Sequence, residues 1–387
     1  EPLPKLQWWI AVNKTFTIPH SEIPGIASGS LTTLKELMHA ATRSGATTFV
    51  TDRFERVYDN WIDNLRDWCI SRQIWFGHRI PVWYKDEEMK VQADSPGDGW
   101  AQDEDVLDTW FSSGLWTFST LGWPFDDAQG KPVFLENGAI NPASDFGQYH
   151  PTTLIESGYD IIFFWIARML LMSTFHTGQV PFKTIYMHGL VRDGQGRKIS
   201  KSLGNNIDPV AMAEKYGMDA VRISLIAGVA PGTDSKIDEN KIRGYKNFAN
   251  KLWNIARFVL ENTDNFQIPK DSNRQTTTED TALATRLNEV VADVTKDMAE
   301  YRTHLAFEKT YHYVWHEFAD VIIEESKSIL NGGDADARGS RAHLLLSILT
   351  TSLKLLHPFM PFVTEEIWKS LPTKDADLLL VAPWPQP

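Results

Sequence analysis

Near residue 240 the hydrophobic period of the chain changes, and this change constrains the fold more than any other feature. Downstream, apolar residues recur at helical spacing. Leu283, Leu287, Val290, Val291, Val294 and Met298 mark one stretch, and Trp315, Phe318, Val321 and Ile322 another. Asn331-Gly332-Gly333 ends that second helix, and a further helix covers 340–356. A last helix is predicted to start near Thr364, with two glutamates in its first turn. LLLVA at 378–382 reads as a strand. Upstream, strand and helix signals alternate. Residues 6–13 read as strand, 14–30 as a loop broken by Pro19 and Pro24, 31–45 as a helix ending at Gly45, and 56–71 as another helix. Residues 85–105 and 124–150 read as surface loops. Residues 155–174 read as a buried helix, 183–188 as a buried strand and 189–206 as an exposed loop. Asp208-Pro209 then opens a helix. The pattern is an α/β part over 1–240 followed by an all-α helical bundle over 241–387.

The 387 residues suffice for two or three domains, and 42% of them are hydrophobic, which excludes a disordered chain. A net charge of −12 excludes a diffuse basic coat, but not a nucleic-acid partner that meets one positive face. The bundle region holds 17 Lys and Arg against 20 Asp and Glu, so its net −3 leaves −9 to the first 240 residues. Arg243, Lys246, Lys251 and Arg257 cluster at its start and could meet phosphates; a solvated helix face explains them equally well. Cys69 is the single cysteine, so disulfides and cysteine-rich zinc sites are excluded, and no metal centre is expected. The longest apolar run, 161–172, is interrupted by Arg168 and is too short for a bilayer. The expectation is a cytoplasmic monomer without a membrane partner. The opening Glu-Pro-Leu-Pro, with no initiator Met, reads as the start of a fragment.

The sharpest string is GRKISKSLGN at 196–205: two lysines three apart, two serines and flanking glycines on an exposed loop after a buried strand. Such a loop delivers ammonium and hydroxyl groups to a polyphosphate and closes once the nucleotide is in place. A bare K-x-x-K is usually just a solvated basic loop; the whole string is more specific. In its setting, HGLVRDGQGRKISKSLGNNIDP (188–209), it resembles the second signature, K-M-S-K-S, of class I aminoacyl-tRNA synthetases in the valine, isoleucine and leucine branch, with Ile in place of Met. The resemblance implies the C-terminal half of a Rossmann-like catalytic domain followed by an anticodon-binding bundle. It also implies ATP with Mg2+, but no zinc. Lys198 and Lys201 would stabilise the transition state as the amino acid carboxylate attacks the α-phosphate, supported by Ser200 and Ser202.

Three strings are most similar to valyl members of the branch: DWCISRQIWFGHRIPVWY (67–84), DVLDTWFSSGLW (105–116) and GYDIIFFWIAR (158–168). By that resemblance the partners are ATP, valine and tRNA(Val). Gly158, Asp160 and His188 would border the nucleotide, and Trp75, Phe76, Ile161 and Trp165 the valine side chain. Ile161 and Trp165 lie four apart and would share one helix face, although such spacing more often marks core. Trp75-Phe76 stands where relatives place Trp directly before Gly77, so the resemblance puts Phe76 in the pocket and Trp75 beside it. NFANKLWNIARFVL (247–260) and HPFMPFVTEEIWKSL (357–371) look like the two ends of the bundle. The first signature, H-I-G-H, the inserted editing domain and the C-terminal coiled coil are not seen, so the chain alone is expected to be inactive. The competing readings are an isoleucyl or leucyl enzyme, a non-catalytic tRNA-binding module and an unrelated nucleotide-binding protein.

Overall fold

The computed structural model describes residues 5–263, 276–332 and 334–387, with the side chain of Lys201 outside the described set. It comprises two compact units, Glu1–Gly189 and Leu190–Pro387.

In the first unit, helix α1 (Leu34–Arg43) opens on a capping box. Thr33 Oγ1 accepts from Glu36 N (3.1 Å), and Glu36 Oε2 accepts from Thr33 N (2.8 Å). Strand β1 (Thr48–Phe49) and helix α2 (Asp52–Asp63) follow. The predicted helix over 56–71 is thus shifted, and its last residues include the short strand Trp68–Cys69. The strand expected at 6–13 shrinks to Trp9–Ile10, paired antiparallel to Trp68–Cys69. Residues 85–105 are not plain loop: Val82–Lys85 pairs with Glu88–Val91 and with Ala101–Gln102 in a three-stranded antiparallel sheet.

The larger correction falls on 155–174. Strand β2 (Thr152–Gly158) occupies its start, a 3-10 turn (Tyr159–Ile161) and a π-helical turn (Ile162–Ile166) follow, and helix α3 begins only at Ala167 and runs to Thr177. A buried parallel strand and a buried helix have the same apolar content, so periodicity does not separate them here. Strand β3 (Phe182–His188) lies parallel to β2, with Thr152 opposite Phe182 and Gly158 opposite His188. β1 pairs parallel on its other side, giving the order β2-β3-β1. Met169, Leu170 and Met172 of α3 fill one core with Phe182, Ile185 and Met187 of β3 and with Phe49, Tyr58 and Phe146.

His150 belongs to this packing. Its ring stacks on Phe146 at 4.5 Å, Nδ1 lies 3.4 Å from Thr117 O, and Nε2 is buried without a partner. Burial pushes its pKa down to about 4. The folded value lies below the unfolded one, so the stabilisation is complete above the unfolded pKa and is lost as pH falls towards 4. Acidification from neutral pH is expected to cost the first unit up to about 3 kcal/mol through this ring. Tryptophan-monitored urea unfolding against pH checks this: H150F should flatten the slope over that window.

In the second unit, helix α4 (Pro209–Tyr216) starts as expected, with Asp208 Oδ1 accepting from Val210 N at 2.9 Å. Helix α5 (Met218–Ile226) leads through the short strand Ser235–Lys236 into the long α6 (Glu239–Thr263). Then come α7 (Thr278–Ala299), α8 (Thr303–His312), a π-helical stretch (Tyr313–Ile322), α9 (Ile323–Gly332), α10 (Ala335–Leu356) and α11 (Pro361–Lys369). Ile223 of α5 and Ala227 just after it share a core with Phe248, Leu252 and Val259 of α6, Val291 and Val294 of α7, and Leu345, Leu349 and Leu353 of α10. Packing therefore groups α4 and α5 with the bundle, although the hydrophobic period changes only near 240.

Two expectations at the C-terminal end fail. Thr364 does not cap a helix: it is buried inside α11, and its hydroxyl donates to Met360 O at 2.7 Å. Residues 379–381 form a 3-10 turn rather than a strand, and Glu365 takes the amides of Leu379 (3.2 Å) and Leu380 (3.3 Å).

Candidate functional site

The first unit brings three of the predicted nucleotide residues together. Gly158 ends β2, His188 ends β3, and the register places them side by side at the carboxyl ends of neighbouring parallel strands. Ligands of open α/β sheets bind in the crevice outside those ends. Asp160 follows in the 3-10 turn. A Cβ on Gly158 would stand 2.7 Å from Asp160 Oδ1 and 3.4 Å from His188 Cε1, so the missing side chain is what lets carboxylate and imidazole approach. His188 Nε2 lies 3.3 Å from Glu156 Oε1, and Nδ1 lies 2.7 Å from Gly189 O. Glu156 had no signal in the sequence beyond its alternation within the strand.

The four predicted valine contacts fall into two groups. Ile161 is 40% exposed, and Trp165 is half-buried with its ring 6.5 Å from that of Trp116. They lie in consecutive 3-10 and π turns rather than on the face of one α-helix. Trp75 and Phe76 are 104% and 82% exposed, on a loop where a Cβ on Gly77 (φ +149°) would stand 2.9 Å from Val106 Cγ2, so no side chain fits there.

Beneath the π turn lies an aromatic column that the sequence does not announce. Phe163 stacks on Trp61 (4.8 Å), Trp61 meets Trp68 edge-on (5.2 Å), and Trp68 stacks on Trp110 (4.9 Å). The Arg168 guanidinium carbon sits 4.6 Å from the Trp110 ring, 5.0 Å from Trp68 and 5.4 Å from Phe164. Burial lowers its pKa, which the nearby Asp108 carboxylate opposes. Arg168 thus pins the turn that presents Ile161 and Trp165. Its only cue was a charge inside an apolar run.

In the second unit, the lysine loop hangs on Asp193. Oδ1 accepts from Gln195 N (3.0 Å) and Arg197 N (2.8 Å), and Oδ2 accepts from Arg197 Nε (2.8 Å) and Asn205 Nδ2 (3.0 Å). The Asn205 amide, then Arg197, hold this carboxyl far below the usual carboxylate range. Asn205 closes the loop, because its Oδ1 accepts from Ser200 N (3.0 Å) and its Nδ2 also donates to Lys198 O (3.2 Å). Ser200 and Ser202 hydroxyls lie 3.2 Å apart. The Lys198 side chain is exposed, while that of Lys201 lies outside the described residues. Lys236 adds a further cation, since its Cε would lie 3.3 Å from a Cβ on Gly196. The frame of the loop is therefore fixed while Lys198 points to solvent, an arrangement that offers positive charge to an anion.

The four basic residues of α6 differ in what they have free to offer. Lys246 donates to Lys215 O (3.2 Å) and lies over the Tyr216 ring, and Lys251 pairs with Asp320 (2.6 Å) beneath Trp315. Arg243 contacts Asn240 Oδ1 (2.9 Å) on the exposed surface, and Arg257 lines a cavity of about 210 Å³ with Trp253, Leu260 and Ile367. Among the described residues no group of three or more His, Cys, Asp or Glu is placed to hold a metal ion, and no helix is long and apolar enough to cross a membrane.

The pattern of the family described as tRNA synthetases class I (I, L, M and V) matches residues 1–99 and 87–238, and that of the anticodon-binding domain of tRNA ligase matches 280–387. The chain is 47% identical over 343 residues to the valine--tRNA ligase of Bacillus anthracis, covering 87% of this chain and 37% of that protein. To that of Clostridium tetani it is 43% identical over 366 residues, covering 91% and 40%. It thus spans about two-fifths of the length of these relatives. Among solved structures, Mycobacterium tuberculosis methionyl-tRNA synthetase in complex with methionyl-adenylate aligns with a TM-score of 0.65 at 21% identity, over 91% of this chain and 66% of that one. The Agrobacterium radiobacter K84 LeuRS-tRNA-LeuAMS complex aligns at 0.62 and 21%, over 83% and 42%. These likenesses show the fold, a class I catalytic part with a helical C-terminal region. The chain belongs to the class I tRNA synthetases of the isoleucine, leucine, methionine and valine group.

Proposed function

We propose that this chain is the part of a valine--tRNA ligase that carries the KISKS loop, one side of the nucleotide and valine sites, and the tRNA-reading bundle. The observation that carries the reading is 43–47% identity to valine--tRNA ligases over about nine-tenths of the chain. The Gly158, Asp160 and His188 cluster at the carboxyl ends of β2 and β3 supports it. The reaction joins the valine carboxylate to the α-phosphate of ATP with loss of pyrophosphate, then passes the valyl group from the adenylate to a terminal hydroxyl of tRNA(Val) with release of AMP. Asp160 and His188 flank the nucleotide. Lys198 and Lys201, steadied by Ser200 and Ser202, neutralise charge that develops on the phosphates, and Mg2+ arrives bound to them. Ile161 and Trp165, with Trp75 or Phe76, wall the side-chain pocket; an Ile–Trp wall fits an isopropyl group and crowds out a larger one. Residues 1–240 act as the catalytic part and 241–387 as the anticodon-binding part, with Arg243, Lys246, Lys251 and Arg257 offered to tRNA phosphates. The setting is the cytoplasm and the working form a monomer.

The sequence holds no H-I-G-H string, so the chain alone should not activate valine at a useful rate. The test is ATP–pyrophosphate exchange with valine, isoleucine, leucine and threonine, run on the chain alone and mixed with a polypeptide from the same gene that supplies the first signature. Exchange driven by valine, in the mixture only, is the expected result. Exchange driven by isoleucine or leucine would transfer the assignment to those enzymes. No exchange, with tRNA binding retained, would favour a binding module.

A further inference from the structure

Helix α11 begins without a cap of its own. Met360 occupies the N-cap position, its side chain accepts nothing, and Pro361 follows. Two of the amides left over are taken by a residue distant in sequence: Phe362 N donates to Asp219 Oδ1 (3.1 Å) and Val363 N to Asp219 Oδ2 (2.7 Å). One turn along α5, Arg222 reaches the turn between α10 and α11. Its Nη2 donates to Pro358 O (3.1 Å) and its Nε to Phe359 O (3.4 Å), just past the last turn of α10.

A carboxylate and a guanidinium three residues apart on α5 thus serve the free amides of the first turn of α11 and the carbonyls of the turn that joins α10 to α11, each matching the sign of the groups it meets. Asp219 is only 6% exposed. Ser, Thr, Asp or Asn at position 360 would have capped α11 locally. The connection made instead joins two remote stretches of chain. One is the α10–α11 corner of the bundle. The other is the α4–α5 pair, which follows the lysine loop with only a short link: Asp208 caps α4, and Gly217 joins α4 to α5. At its other end the pair is held to α6, where Lys215 and Tyr216 both bond to Glu239.

Resting on the reading of the loop as the ATP loop and the bundle as the tRNA reader, we propose that Asp219 and Arg222 are positioning residues that couple the two: they lock the helix pair carrying the loop to the α10–α11 corner, so that RNA bound to the bundle changes the exposure of the loop. Neither residue touches substrate in this scheme.

The test is limited trypsin digestion of the whole chain, following cleavage after Arg197 and Lys198 with and without deacylated tRNA(Val), alongside filter-binding affinity for the same tRNA. In the wild-type chain tRNA should change the loop cleavage rate by about fivefold, at the low end of usual coupling strengths. R222Q and D219N should bind tRNA within about twofold of wild type while losing most of that response. A variant that only loosened the fold would raise cleavage equally with and without tRNA, and would not separate affinity from response. Should D219N fail to fold, R222Q, altered at a partly exposed side chain, carries the test. An unchanged response in R222Q overturns the proposal, as does wild-type chain that binds tRNA with no change at the loop. A wild-type chain that does not bind tRNA overturns the functional reading itself, and this proposal with it.

Discussion

Asp280→Ala is expected to destabilise the helical unit by about 3–5 kcal/mol, because it strands a buried guanidinium. Arg341 is 1% exposed, and its Nε donates to Asp280 Oδ1 at 2.6 Å. Its other nitrogens reach Ser326 Oγ (3.2 Å) and Glu279 Oε1 (3.4 Å), and Ser340 Oγ donates to Asp280 Oδ2 (2.5 Å). The Asp280 carboxylate therefore ties the first turn of α7 to α10, and α10 in turn to α9. Removing it leaves the positive charge with an exposed glutamate and a hydroxyl. Replacing both partners with apolar residues, as in D280L/R341M, should be close to neutral, because the desolvation cost disappears along with the attraction. Urea unfolding followed by far-UV circular dichroism separates the outcomes. A D280A loss below about 1 kcal/mol would mean that water reaches the pair.

Lys198→Met is expected to lower valine-dependent exchange in the reconstituted mixture by about a hundredfold to a thousandfold. The loop backbone is held by Asp193 and Asn205 whether or not Lys198 is present, so the substitution removes charge without collapsing the frame. If the ammonium acts mainly on charge that appears in the transition state, kcat and kcat/KM fall together. A raised KM for ATP with kcat intact would instead make Lys198 a ground-state binder. Asn205→Ala tests the frame: Ser200 N and Lys198 O lose their shared partner, and the loss of rate should come with faster proteolysis of the loop.

What the sequence made legible was local. The lysine loop, the Asp208-capped helix and the helical apolar period of α7 all declare themselves locally. Gly158, Asp160 and His188 can be named from family resemblance, but their meeting requires the parallel register of β2 and β3, and the apolar content of 155–158 reads equally well as helix. Thr364 followed by two glutamates has the composition of a helix start, but Pro361 at the first helical position is the signal the fold obeys. The long-range anchors are hidden for a common reason. Asp219 acts on amides 143 and 144 residues away, and Arg341 meets Asp280 across 61 residues. Pairings of that range have no local composition to betray them.

One consequence of the sheet order concerns handling rather than catalysis. β2 has a partner strand on one side only among the described residues. Its outer side presents the backbone donors and acceptors of alternate residues along Thr152–Gly158 to any extended chain that drifts past, and Glu156 is the sole charge in the strand. A strand offered in the right direction would be taken up as a fourth member of the sheet; the same strand from a second copy would begin a precipitate. Solubility of the isolated polypeptide should therefore be governed by concentration and by what covers that margin, well before heat or denaturant becomes limiting.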